Sequence, residues 1–424
     1  MVKTPHEPAH ETGAQDDIPE VVDNVRPIPR VSIQAFCESE GVAAPMQAAM
    51  KDRRLAKTNF KVNTGDHRAA LEHFSSAPTP NLVILEMRLP PMELIGALDK
   101  LADVCDPGTK VVVIGHYNDV QLYRELMRCG VSEYLVAPIS LSDILTTISD
   151  IFVAPDAEPL GRTIAVLGAK GGVGSSTVAH NVAWAVADLF QSEVILCDCD
   201  LAFGTANIDF DRDPAQGMYE ALRSSGEMDE TLLDRLLSSC GDHLSLLSAP
   251  STLDQVYDLD TNDFRVLVET AQKTAPFVVL DLPHLWTDWT RTMLAQADLV
   301  VLTASLDLAN LRNAKNLVDT LAKLRPNDTK PHLVLNQIGI PKRPEIALDE
   351  FCDPLGLTPT AEIPFDPQLF GEAANAGLMI RQLNAKSPVA ATFDHLAHVV
   401  TGRETIKKVK KVGLFDRFLK KSAA

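Results

Sequence analysis

The stretch GAKGGVGSST, Gly168–Thr177, lies between the apolar run TIAVLG and a segment that places Val178, Val182, Val186 and Leu189 at i, i+4, i+8 and i+11. The first pattern is a buried strand and the second is one stripe of a helix. A glycine-rich turn from strand into helix lets backbone N–H groups close around an anion, and the helix start adds its positive dipole end at the same point. Such a junction belongs to an α/β layer with a parallel sheet. Five more buried runs, EVILCD, LSLLSA, FVVLD, LVVLTAS and HLVLNQ, continue the rhythm and imply helices on both faces.

A chain of 424 residues exceeds one ordinary core and fits two or three folded units. From Arg30 to about Val153, the runs VSIQAF, NLVILEM, KVVVIGH and EYLVAP alternate with amphipathic segments such as Val120 to Cys129 and Leu141 to Ile151. That is a second α/β rhythm. The expected fold class is α/β, with two doubly wound parallel-sheet domains at residues 30–153 and 162–403. The segment APDAEPLG, within 154–161, reads as a linker, and residues 1–29 are expected to be disordered because they lack apolar periodicity. Residues 404–424 form a basic tail.

A net charge of −18 opposes non-specific attraction to DNA phosphates, so DNA is not an expected partner. No apolar run approaches the roughly 18 to 20 residues that span a bilayer, and the acidic, polar start lacks the apolar segment of a secretory signal. A cytoplasmic location is expected. Seven scattered cysteines argue for reduced thiols, and the close pair Cys197 and Cys199 reads as small apolar residues of a buried strand.

Against the pattern G-x-x-x-x-G-K-[ST], Ala169 stands at the first glycine and Ser175 at the lysine, while Gly174 and Ser176 match. Three further features lie at strand ends, where ligands of open α/β sheets bind. EVILCD leads into Asp198 and Asp200. FVVLD ends in Asp281, with Pro283 following, as expected of a carboxylate that holds Mg²⁺ through water. HLVLNQ ends in Asn336, whose amide can both donate to and accept from an adenine edge.

K-G-G-V-G with its early lysine, D-x-D after the second strand, D-x-P after the fourth and I-P-F-D at Ile363 to Asp366 resemble the deviant Walker ATPases of the ParA and MinD type. The resemblance covers roughly 240 residues and implies ATP and Mg²⁺ as cofactors. It implies that Lys170 reaches across a nucleotide-sandwich homodimer to the partner's phosphates, and that Asp200 orients or activates the attacking water. Nucleotide binding would fall to Lys170, Gly171, Gly172, Val173, Gly174, Ser175, Ser176, Thr177 and Asn336. The metal would be held by Ser176, Asp198, Asp200 and Asp281. Loss of the loop lysine at Ser175 removes a charge-assisted contact to the phosphates, so the reading is ATP binding with slow or negligible hydrolysis.

The runs DLPHLWTDWTRTMLAQADLVVLTASLDLANLRNAKNLVD, VLNQIGIPKRPEIALDEF and IPFDPQLFGEAANAGLMI look specifically like the pilus-assembly branch called TadZ or CpaE. That resemblance implies a localisation and assembly factor for a Flp-type (tight adherence) pilus secretion machine at the cell pole, with pilus secretion proteins as partners. The alternative is an active ParA/MinD-like ATPase that positions cargo on DNA or membrane. An iron–sulfur ATPase would need cluster-ligating cysteines, and none occurs between Cys240 and Cys352.

The first domain resembles a response-regulator receiver through NLVILEMRLPPMEL and GVSEYLVAPIS, but its chemistry has been edited. Glu86 takes the phosphoacceptor position, Cys37 and Glu38 the acidic pair, Ala137 the lysine and Gly115 the hydroxyl residue. The resemblance implies a docking or dimerisation module that works without phosphorylation. If helical, the tail gathers Leu414, Phe415, Phe418 and Leu419 on one side among Lys411, Arg417, Lys420 and Lys421. That arrangement suits peripheral contact with an anionic inner membrane.

Overall fold

A computed structural model describes residues 28–153, 160–254, 256–257 and 259–403. Residues 1–27 of the expected disordered start, 154–159 of the linker and the basic tail at 404–424 lie outside the described residues. The chain divides into two compact units, one comprising Met1–Ala157 with Lys323–Thr329 and the other the remainder.

The first unit holds β1 (Ser32–Cys37), β2 (Asn59–Thr64), β3 (Leu82–Glu86), β4 (Lys110–Gly115) and β5 (Glu133–Val136), all parallel, in the order β2-β1-β3-β4-β5. This is the flavodoxin-like doubly wound order. Successive residues point to opposite faces. Ile33, Ala35, Leu82 and Ile84 meet Val42 and Met46 of the helix Glu40–Met50 and Ile144 and Ile148 of the helix Leu141–Phe152. Phe36, Val83, Leu85 and Val113 meet Phe74, Leu94, Leu98, Leu122 and Leu126 on the other side. Burial on both faces explains the near-continuous apolar runs. The strand β2 was not among the runs read from sequence. Its residues NFKVNT sit at the sheet edge, where only Phe60 is buried and the rest are exposed or partly buried, so they carry little apolar signal.

The second unit holds β6 (Arg162–Gly168), β7 (Val194–Asp198), β8 (Ser238–Ser239), β9 (Leu244–Leu247), β10 (Phe277–Leu282), β11 (Leu299–Ala304), β12 (His332–Ile338) and β13 (Pro359–Pro364). Their order is β13-β12-β11-β6-β10-β7-β9-β8, parallel throughout except for β8 against β9. The two edge strands β8 and β13 are the elements that the apolar runs did not reveal. Ile164 and Val166 face the helices Ser175–Phe190 and Pro388–Thr401, whereas Ala165 and Leu167 face Leu267 of the helix Thr261–Thr274 and Leu294 of the helix Asp288–Gln296.

The chain leaves β6 toward one side of the sheet, to β7, and leaves β10 toward the other, to β11, although β6 and β10 are neighbours. Where connections part in this way, the loops at the carboxyl ends open a crevice. The glycine-rich loop and Asp281 both stand at that point.

Candidate functional site

The loop 169–174 joins β6 to the helix Ser175–Phe190. Its left-handed turns fall on Gly172 and Gly174, with φ of +79° and +83°. At Gly174 a Cβ would lie 2.5 Å from Nδ2 of Asn336, so glycine is required twice over, by backbone and by neighbour.

The loop's carbonyls are turned toward protein donors. Nδ1 of His284 donates to the Gly168 carbonyl at 2.9 Å, and Nδ2 of Asn313 donates to that of Ala169 at 2.9 Å. Nε2 of Gln337 donates to the Gly172 carbonyl at 3.0 Å, and Nδ2 of Asn336 to that of Val173 at 2.8 Å. With the carbonyls held outward, the N–H groups of residues 171–174 and the hydroxyls of Ser175, Ser176 and Thr177 make no hydrogen bond among the described residues. A row of free donors at a helix start is an anion cradle.

Asn336 is buried, its Nδ2 grips the loop and its Oδ1 accepts from the Gln337 N–H at 2.8 Å, so it latches the phosphate loop from the end of β12. Gln337, His284 and Asn313, the other latches, were missed because nothing in their local sequence marks a side chain that binds a distant carbonyl.

Asp198 and Asp281 lie opposite each other on the paired strands β7 and β10. Both oxygens of the fully buried Asp198 are engaged, Oδ1 by the Asp200 N–H at 3.2 Å and Oδ2 by the Ala206 N–H at 3.1 Å. Burial, with the neighbouring Asp281 charge, pushes its carboxyl up to about 7. Among the described residues no three His, Cys, Asp or Glu side chains are arranged to hold a metal ion, and Asp198 braces the segment that follows it. Asp200 is half-buried, accepts from the Phe203 N–H at 3.2 Å, and is held above the ordinary aspartate range chiefly by burial.

Asp281 is 2% exposed, yet its Oδ1 has no hydrogen-bond partner among the described residues. A buried carboxylate oxygen left unpaired is costly and marks a place for a cation or its water. With the free hydroxyl of Ser176 one strand away, this fits Mg²⁺, which takes few protein ligands and completes its shell with phosphate and water.

Lys170 is half-exposed and does not join the carboxylates of β7 and β10. Its Nζ lies 3.7 Å from Oδ2 of Asp307, in the turn after β11. Burial alone would raise the Asp307 carboxyl, but the Asn310 N–H and amide, together with the Lys170 and Arg343 charges, hold it below the ordinary range.

In the first unit Glu86 is fully buried, and its carboxylate is saturated. Oε2 accepts from the N–H groups of Glu38 and Ser39 at 2.7 and 2.8 Å, and Oε1 from the Ser39 hydroxyl at 2.6 Å, with Nε2 of His116 at 3.2 Å. A Cβ at Gly115 would collide with the ring of Tyr134, whose hydroxyl donates to the Tyr117 carbonyl at 2.9 Å. The pocket is thus closed by its own side chains.

Burial acts to raise the Glu86 carboxyl, but these hydrogen bonds outweigh it and leave the group below its ordinary value. Its stabilisation is therefore present above the ordinary glutamate range and is lost as pH falls through the lower, folded-state value. Glu86→Ala should lower the stability of the first unit by about 2 to 3 kcal/mol, since several buried donors lose a charged acceptor. Glu86→Gln should flatten the acid limb of stability against pH. Denaturant unfolding across pH 3 to 7, followed by a probe in the first unit, checks both.

Strand, glycine loop and helix, with a buried carboxylate on the adjacent strand whose Oδ1 has no partner among the described residues, give the second unit a P-loop NTPase fold. Residues 161–335 match the family described as "AAA domain". The septum site-determining protein MinD of Thermotoga maritima is 24% identical over 250 residues, which is 57% of this chain and 89% of that protein. The crystal structure of a ParA family ATPase from Chlorobium tepidum TLS superposes with a TM-score of 0.52 at 22% identity, covering 56% of this chain and 98% of that one. A pilus assembly protein, CpaE of Caulobacter crescentus CB15, is 43% identical, covering 30% of this chain and 98% of that chain with a TM-score of 0.30. Residues 161–335 thus match the AAA-domain family model, and the second unit is similar in sequence to MinD and in fold to a ParA family ATPase.

Proposed function

We propose that this chain is an ATP-binding, nucleotide-switched dimeric factor that localises and assembles a Flp-type pilus secretion machine, with little hydrolysis of its own. The observation that carries the reading is the loop itself. Every carbonyl from Gly168 to Val173 for which a bond is given faces the protein, the N–H groups of 171–174 stay free for phosphate, and yet the lysine position is Ser175. Such a cradle binds without strongly stabilising transition-state charge. Mg²⁺ would be held by Ser176 directly and by Asp281 through water, and it would offset phosphate charge.

Asp200 would orient water, and Lys170 would leave Asp307 to meet the phosphates of a second copy. Branch-like runs such as DLPHLWTDWT and VLNQIGIPKRPEI support the pilus role over cargo partition. The self-closed Glu86 pocket supports a first unit that docks partners without phosphorylation. No described helix is long and apolar enough to cross a membrane. A place at the cell pole, with peripheral membrane contact through residues 404–424, belongs to the same proposal.

Lys170→Ala tests the switch. It should abolish ATP-dependent doubling of mass, measured by light scattering, while the nucleotide-free protein remains monomeric. Doubling that survives the substitution would remove Lys170 from the interface.

A further inference from the structure

His180 is a fully buried polar residue of the helix Ser175–Phe190, on the side of the helix away from Val178 and Val182. Its ring lies between two carboxylates. Nδ1 is 2.8 Å from Oδ2 of Asp209, and Nε2 is 3.3 Å from Oδ2 of Asp281, near enough for charge pairing although off the line of a good hydrogen bond. The ring of Phe210 lies 5.7 Å from the imidazole, with Trp184 packed against Phe210 behind it.

Two carboxylates facing both ring nitrogens call for two N–H groups, which only the protonated imidazole has.

The placement matters because the chain from Asp200 to Asp211 is pinned at two points. Midway along it, Asp198 accepts from the Ala206 N–H, and Gly204 packs so closely under that carboxylate that a Cβ there would strike it. Toward its end, the short helix Ala206–Asp209 is pinned by His180. The same ring lies 3.3 Å from Oδ2 of Asp281, whose Oδ1 has no partner among the described residues.

We propose that His180 is a positioning residue that ties the segment carrying Asp200 to the metal-facing carboxylate Asp281, so that occupancy of the nucleotide site is transmitted to residues 200–211. The inference rests on the nucleotide-binding reading above and adds the route by which binding is felt. When Asp281 is shared with a cation, its hold on the ring weakens, because the cation competes for the same carboxylate. The ring then keeps its tighter contact with Asp209, and the short helix moves with it. A buried ion pair that served stability alone would contribute little net energy over an apolar replacement. The site of this one, between the metal-facing strand and the Asp200 segment, is what a coupling element requires.

The test is hydrogen exchange of residues 200–211 in the full-length protein, with and without saturating ATP and Mg²⁺, for the wild type, His180→Gln and Asp209→Asn. Saturation is established beforehand with a fluorescent ATP analogue for each protein. Exchange in the wild type should change by about threefold or more on binding, and in either variant the change should shrink to within about 1.5-fold although nucleotide is bound. Asp209→Asn keeps shape and volume, so it serves if His180→Gln fails to fold. A wild-type response retained in a folded, nucleotide-saturated variant would overturn the proposal, as would a wild-type protein that binds nucleotide with no change in 200–211. Absence of nucleotide binding in the wild type would overturn the underlying reading as well, and the analogue titration tells the two failures apart.

Discussion

Ser175→Lys should raise the rate of ATP hydrolysis by about 10- to 100-fold, the equivalent of restoring one charge-assisted contact of about 1.5 to 3 kcal/mol to the β and γ phosphates. The site is otherwise prepared. Ser175 is the first residue of the helix, half-buried, and its hydroxyl makes no hydrogen bond among the described residues, so nothing internal is lost by removing it. Ser176, Asp200 and Asp281 remain in place to hold Mg²⁺ and to orient water. Steady-state phosphate release at saturating Mg²⁺ and ATP reads the effect. An unchanged rate would mean that the slow step lies elsewhere, in dimer formation or in Lys170 leaving Asp307.

Gly174→Ala should weaken nucleotide binding by about 100-fold, close to 3 kcal/mol. Two costs add. A non-glycine residue at φ +83° gives up about 1 to 2 kcal/mol. The new Cβ would also stand 2.5 Å from Nδ2 of Asn336, which must then release the Val173 carbonyl and leave buried polar groups unpaired, at about 1 to 3 kcal/mol. The damage should stay local, because β6 and the helix Ser175–Phe190 are each anchored by their own buried faces. Titration with a fluorescent ATP analogue, beside an unchanged far-ultraviolet circular dichroism spectrum, separates loss of the cradle from loss of the fold.

Much of this architecture could be read from the chain because burial on both faces leaves strands such as TIAVLG and FVVLD as unbroken apolar runs. The strands that escaped notice, β2, β8 and β13, all lie toward sheet edges, where half-solvated residues such as NFKVNT and PTAEIP dilute the signal. At the site, the loop, Ser175 and the aspartates at strand ends were visible as motif positions, since glycines and carboxylates at strand ends have few other uses. The roles of Asn336 and Asp198 were not. Whether an amide faces a ligand or a loop carbonyl, or a carboxylate faces a metal or backbone N–H groups, depends on contacts formed 163 and 8 residues away.

The Glu86 pocket of the first unit shows the same division. Glu86 could be picked out from the chain, but that it reaches the N–H groups of Glu38 and Ser39 depends on the approach of β1 to β3. A carboxylate with that many donors is a structural staple.

The measurement that bears most directly on the central claim is equilibrium binding of ATP with Mg²⁺ to the full-length protein, combined with mass determination by light scattering. The account predicts saturable binding, a doubling of mass with ATP that is absent without nucleotide, and little phosphate released over the same period. Failure to bind ATP, or a mass that does not respond to it, would contradict the account.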